Sequence, residues 1–170
     1  MESLEHARFE ITDQQIEGDD YFAVIEPLHF SVSIYDGPEQ YEKDLARFTK
    51  EQRLVFACHW YLSEVNNGGH DQFYDNNTGI VWKDAREGFA AIGVPEVSAI
   101  IDESTQRIKA KPSLVREERQ EQIELSDANF RDLDDRLFQL EEKVDLNEQM
   151  LAYIRAHRQQ FYFSGTVNNL

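Results

Sequence analysis

The chain has 170 residues and a formal net charge of −16, with 41% hydrophobic and 12% aromatic residues. That aromatic content is too high for a disordered acidic tail, and the charge disfavours binding to nucleic acid or anionic membranes while favouring basic protein surfaces. A single cysteine, Cys58, excludes an internal disulfide.

In chain order the glycines and prolines separate segments with helical periodicity. Asp20 is placed to cap a first helix through Tyr21, Val24, Ile25 and Leu28, with Pro27 kinking or ending it. Val32 to Tyr35 reads as helix, and Gly37-Pro38 breaks the chain and starts the next one. Thr49 with Gln52 forms a capping box ahead of Leu54–Leu62, apolar almost all round and therefore the expected central helix. Asn66-Asn67-Gly68-Gly69 ends it. A shorter helix follows around Val81–Ile92, and Pro95 begins another that reaches Ile108. Ser126 is expected to cap a helix with a seam of Phe130, Leu133, Leu137, Leu140 and Val144. Asp145 with Glu148 opens the last one. No alternation is long enough to argue for a sheet. The expected fold is a single compact all-α, multi-helix domain over 1–170.

Charge is segregated along the chain. Residues 1–44 carry a balance of −10, residues 45–111 of −1, residues 112–148 of −7, and the remainder +2. On the helix from Ser126, Asp127, Asp134 and Glu141 recur every seven residues, as do Asp135 and Glu142, about 10 Å apart along an outward stripe. Upstream, Glu117, Glu121 and Glu124 recur by four and three, with Glu118 beside them. Rows of helical carboxylates approximate a phosphate track in sign and spacing. The N-terminal block adds Asp19, Asp20, Glu26, Asp36, Glu39, Glu42 and Asp44. A solvated, solubilising face is the simplest reading of such runs.

Between the acidic blocks lies Glu64-Val65-Asn66-Asn67-Gly68-Gly69-His70-Asp71-Gln72-Phe73-Tyr74-Asp75-Asn76-Asn77-Thr78-Gly79. Gly68 and Gly69 suit a left-handed helix end and a tight reversal. Phe73 and Tyr74 can then fold back on Trp60 and Tyr61. Glu64, Gln72 and Asn76 are placed to tie loop amides. A structural turn is the favoured reading.

This segment resembles the signature of a family of small all-α bacterial domains known through an acidic DNA mimic. The signature is a Glu, Asn-Gly-Gly, an aromatic, Gln with two aromatics, an Asn and a closing Gly. The likeness covers roughly residues 45–108, and Glu64, Asn67, Gly68, Gly69, Gln72, Phe73, Tyr74 and Asn76 carry it. His70 stands where the pattern has an aromatic residue. The resemblance implies a homodimer that occupies the DNA-binding surface of a transcription regulator, expected to be a helix-turn-helix protein, and keeps it off its operator; the protein is expected to be non-enzymatic. The acids above would form the mimic face.

Two other classes remain. An immunity-type inhibitor of a basic nuclease would use the same charge. A metal-dependent enzyme would need His59, Glu64, His70 and Asp71 to converge, yet His59 and Glu64 do not share a helical face. No cofactor is expected. The late apolar residues Leu151, Tyr153, Ile154, Phe161, Tyr162 and Phe163 are the expected dimer surface, with completion of the monomer core as the alternative. The first 20 residues lack the basic start and apolar stretch of a signal peptide, so the expected location is cytoplasmic.

Overall fold

The computed structural model describes residues 6–168 and opens on an element absent from the sequence reading. Strand β1 (His6–Ile11) pairs antiparallel with β2 (Phe163–Asn168), in the register Ile11 to Phe163 and Ala7 to Val167. Alternation is present in both strands, with Ile11 and Val167 buried. Each strand is only six residues long, and its partner lies at the far end of the described chain.

Nine helices lie between the strands among the described residues. They are α1 (Asp13–Ile16), α2 (Phe22–His29), α3 (Gly37–Leu45), α4 (Lys50–Asp75), α5 (Trp82–Ala91), α6 (Pro95–Ile108), α7 (Arg116–Ser126), α8 (Arg131–Glu141) and α9 (Leu146–Ala156). The protein is all-α apart from that two-stranded sheet.

Several boundaries follow from the local chemistry read in the sequence. The N-cap of α2 is Tyr21 rather than Asp20, although Asp20 Oδ1 accepts from the N–H of Phe22, the first residue of the helix, at 2.9 Å. Thr49 and Gln52 form the reciprocal capping box of α4, which buries Leu54 through Cys58 and then Tyr61, Leu62 and Val65. Pro38 lies in the first turn of α3, and Pro95 in that of α6. Asp145 Oδ1 accepts from Glu148 N at 3.1 Å at the start of α9.

Besides the α2 cap, and the Asn66–Gly69 segment that lies within α4, two boundaries differ from expectation. Val32 to Tyr35 is not helical. Its backbone is held instead by side chains, because Ser33 N donates to Asp44 Oδ2 at 3.0 Å and Ser33 Oγ to Asp36 at 2.6 Å. Ser126 does not begin α8; it ends α7, its Oγ donating to Ile123 O. Asp127 follows in the left-handed region at φ 50°, so the expected seven-residue row loses its first member. Asn129 Oδ1, accepting from Arg131 N, starts α8.

The core lies around α4. Phe56, Tyr61, Phe73, Tyr74, Phe89, Phe130 and Phe161 are sealed from solvent, and each buried ring of this kind stabilises the fold by about 1.5–3 kcal/mol. Leu133 and Leu137 of the α8 seam are equally sealed. Leu151, Ile154 and Phe161 join them at zero exposure, which removes these three from the expected dimer surface. These three complete the monomer core, whereas Tyr153 and Phe163 are half-buried and Tyr162 is exposed.

Candidate partner-binding surface

The Asn-Gly-Gly segment does not end α4 but bends it. Gly68 and Gly69 have non-helical backbone angles, Gly69 with φ +74°, and the helix resumes at once. The glycines are sterically required. A Cβ on Gly69 would lie 2.5 Å from Asp134 Oδ2, and one on Gly68 would overlap the Gln72 side chain. At the bend Asp134 accepts from His70 N at 2.9 Å and stands 2.5 Å from His70 Nδ1, while His70 Nε2 meets the Tyr61 hydroxyl at 2.7 Å. His70 is fully buried, and its ring centroid lies 6.0 Å from that of Phe130. It therefore takes the aromatic packing place while also clamping α8 to the bend.

Glu64, Gln72 and Asn76 tie one another rather than loop amides. Gln72 Nε2 donates to Glu64 Oε1 at 3.2 Å, and Asn76 Nδ2 donates to the same oxygen. Phe73 packs on Tyr61 at 5.1 Å between centroids. Trp60 instead stacks on His29 at 5.5 Å. The motif is scaffold. Asp134→Ala would strip two buried donors of their acceptor and is expected to lower the unfolding free energy by about 2–4 kcal/mol. Urea titration checks this, and unchanged stability would show the clamp to be dispensable.

A second clamp lies on α7. Arg119 is fully buried, and its guanidinium donates to the carbonyls of Tyr74, Asn76 and Ser113 at 2.7, 2.6 and 2.8 Å. Arg116 and Gln120 both donate to Asp75 O. The end of α4 thus offers its unpaired carbonyls and negative dipole end to one face of α7. Burial lowers the Arg119 pKa to about 10, and Arg116 nearby adds to the effect. No sequence signal marked Arg119 among the flanking glutamates.

With α7 held by that face, Glu117, Glu118, Glu121 and Glu124 are exposed. Glu118 accepts from Ser113 Oγ. The other three have no cation within 4 Å among the described residues. Arginines are instead spent elsewhere, as in the pairs Arg53–Glu42, Arg107–Asp132, Arg136–Glu103 and Arg158–Asp13.

A second group of carboxylates borders the α8–α9 turn. Asn147 Nδ2 donates to Asp19 O at 2.9 Å, and Tyr21 N to Asn147 Oδ1 at 3.4 Å. These bonds bring exposed Asp19 and Asp20 to the turn that carries Glu141, Glu142 and Asp145. Glu141 accepts from Asn66 Nδ2 at 2.9 Å, while Glu142 and Asp135 are exposed. The two sequence blocks therefore meet here in space.

Asp36, Glu39, Glu42 and Asp44 form a third group on and before α3, at the other end of α4. Glu39 is exposed. Glu42 takes both nitrogens of the Arg53 fork, which holds its carboxyl below the usual range. Asp36 and Asp44 brace the Ser33 turn, and Asp134 is likewise committed internally. Glu26 is half-buried on α2. The structure does not bring the α3 group to the α8–α9 turn.

His59 and His70 do not converge. His59 Nδ1 lies 2.9 Å from the Tyr21 hydroxyl within an aromatic cluster of Phe22, His29 and Trp60. Among the described residues no three His, Cys, Asp or Glu side chains gather as a metal site. No helix among them is long and apolar enough to cross a membrane.

A helical domain that folds its arginines into internal bonds and leaves rows of carboxylates outside is an acidic module suited to basic partners. The chain belongs to the DMP19-like protein family, whose model matches residues 46–157, and this is a family of DNA mimics. The match continues past Ile108 through α7, α8 and α9, beyond the reach of the motif, and so includes both internal clamps. No curated protein and no solved structure matches the chain.

Proposed function

We propose that the protein binds the DNA-binding surface of a helix-turn-helix transcription regulator and blocks its operator binding, acting in the cytoplasm as a homodimer. Membership of the DMP19-like family supports the mimic role. The observation that carries the choice of binding surface is the row Glu117, Glu121 and Glu124. It is exposed and, among the described residues, without a cation within 4 Å, on a helix whose opposite face is locked to α4. Its members advance by about 6 and 4.5 Å of helix rise, and an outward row on a rigid helix is a preorganised anionic track. Asp19, Asp20, Asp135 and Glu142 are exposed as well, the first two beside the α8–α9 turn that carries Glu142.

Arginines and lysines that grip phosphate would be steered to these carboxylates, and the attraction would weaken as salt screens it. The test has two stages. Regulators are captured from an extract of the source cells on the immobilised protein at low salt and eluted at high salt. Labelled operator DNA is then displaced from the captured regulator by the free protein. Glu117→Lys with Glu121→Lys is expected to raise the concentration needed for half-displacement at least tenfold. Displacement unaffected by both the reversals and added salt would overturn this reading.

A further inference from the structure

A cleft of about 740 Å3 opens between the loop before α2, the middle of α4 and the α8–α9 turn. That size lies within the range of sites that enclose a ligand. Leu62 and Leu146 form buried apolar parts of its wall, with Tyr21 and His59 beside them and Glu141 and Glu142 among the acids of its lining. Asp145 adds a third carboxylate, against Lys143 as a cation of the lining. Glu141 gives Oε1 to Asn66, and its Oε2 has no partner among the described residues. Asp19 and Asp20 are tied to the same rim through Asn147.

We propose that this cleft seats an arginine-bearing segment of the partner protein. The inference rests on the mimic reading and locates one contact of that interface. Charge complementarity selects a cation. Arginine fits better than lysine because its planar fork pairs carboxylates through two bonds and stacks on an aromatic face such as Tyr21, whereas lysine offers a compact, strongly hydrated charge. The cleft is open to solvent, so the side chain can enter while still attached to a larger surface. The apolar wall receives the methylene stem of the arginine.

The probe is a tetra-arginine peptide amide, compared with tetra-lysine, titrated into the whole protein at 150 mM salt. Binding is measured by calorimetry and by the imidazole NMR signals of His59. Tetra-arginine is expected to shift the His59 signals and to bind at least tenfold more tightly than tetra-lysine. Ser63→Trp fills the mouth of the cleft from an exposed position on its lining without changing charge, and should weaken binding at least tenfold. Glu142→Gln should weaken it severalfold, while Glu96→Gln, the same loss of charge at an exposed site on α6, should change it by less than twofold. Equal effects of the two glutamine variants, or full binding by Ser63→Trp, would show diffuse attraction to an acidic surface and overturn the cleft. Operator displacement by the unaltered chain is a separate readout. Its failure counts against the mimic reading, whereas failure of the cleft variants to weaken peptide binding counts against the cleft.

Discussion

Replacing Arg119 by Met is expected to lower the unfolding free energy by about 3–5 kcal/mol, a large share of the roughly 5–15 kcal/mol typical of a domain. The guanidinium has carbonyls rather than a carboxylate for partners, so its charge is balanced by the end of the α4 dipole. A methionine keeps the apolar stem but leaves the Tyr74 and Ser113 carbonyls without the guanidinium donors, and Asn76 O with only the backbone N–H of Gly79. Gly79 supplies an internal check, because a Cβ there would overlap the Arg119 guanidinium. Gly79→Ala should therefore cost much less in the Arg119→Met background than in the parent. Denaturant titration of the two single variants and the double variant measures that coupling. Additive costs would show that the two sites do not share this space. Loss of the clamp should also weaken operator competition, since α7 would no longer present its glutamates from a fixed base.

The second large effect is on stability against acid. Burial lowers the His59 pKa from its ordinary 6.5 to about 4, and the neighbouring His29 lowers it further while Asp20 opposes. His29 is itself lowered by burial, with Glu26 opposing. The unfolded chain takes up these protons at a pH where the folded chain refuses them. The stabilisation is therefore complete above pH 6.5 and is lost as the pH falls towards 4. For His59 the loss amounts to about 2–3 kcal/mol, since its side chain is partly exposed. The carboxyls with lowered pKa, Glu42, Glu103 and Asp132, lose their contributions in a second, more acidic stage. His59→Phe, which suits the Phe22, His29 and Trp60 surroundings, is expected to flatten the stability curve between pH 6.5 and 4 while leaving the lower stage intact. A parallel pH dependence in parent and variant would exclude His59 as the source.

The helical architecture was legible wherever a local rule acted within a few residues. The Thr49–Gln52 box, the prolines of α3 and α6, and the spacing of Phe130, Leu133 and Leu137 each specify an element without help from the rest of the chain. The strands were hidden because six alternating residues carry little signal until a partner is found. Ser126 misled for a related reason: a serine before a polar run resembles a helix start, but here its hydroxyl turns back to Ile123 and the following Asp127 is left-handed. The site was half legible. Sequence supplied the acids of α7 and of the α8–α9 turn, but not which ones face solvent. Asp134 and Asp44 look the same in sequence as Glu121, yet both are half-buried and hold donors inside the fold, whereas Asp36 accepts from Ser33 Oγ and stays exposed. Asn147, which joins the two acidic blocks, has its partners at Asp19 and Tyr21, and only tertiary structure brings them near.

The pairing of β1 with β2 also decides how the molecule can be handled. Positions 6 and 168 face each other across the sheet, and Arg47 and Thr49, just before α4, reach the neighbouring carbonyls of Thr166 and Gln160. Both ends of the described chain therefore lie on the same sheet edge, close to the start of α4, whereas the α7 glutamates sit at its finish. Attachment of a surface at this sheet edge should thus leave the acidic track pointing into solution.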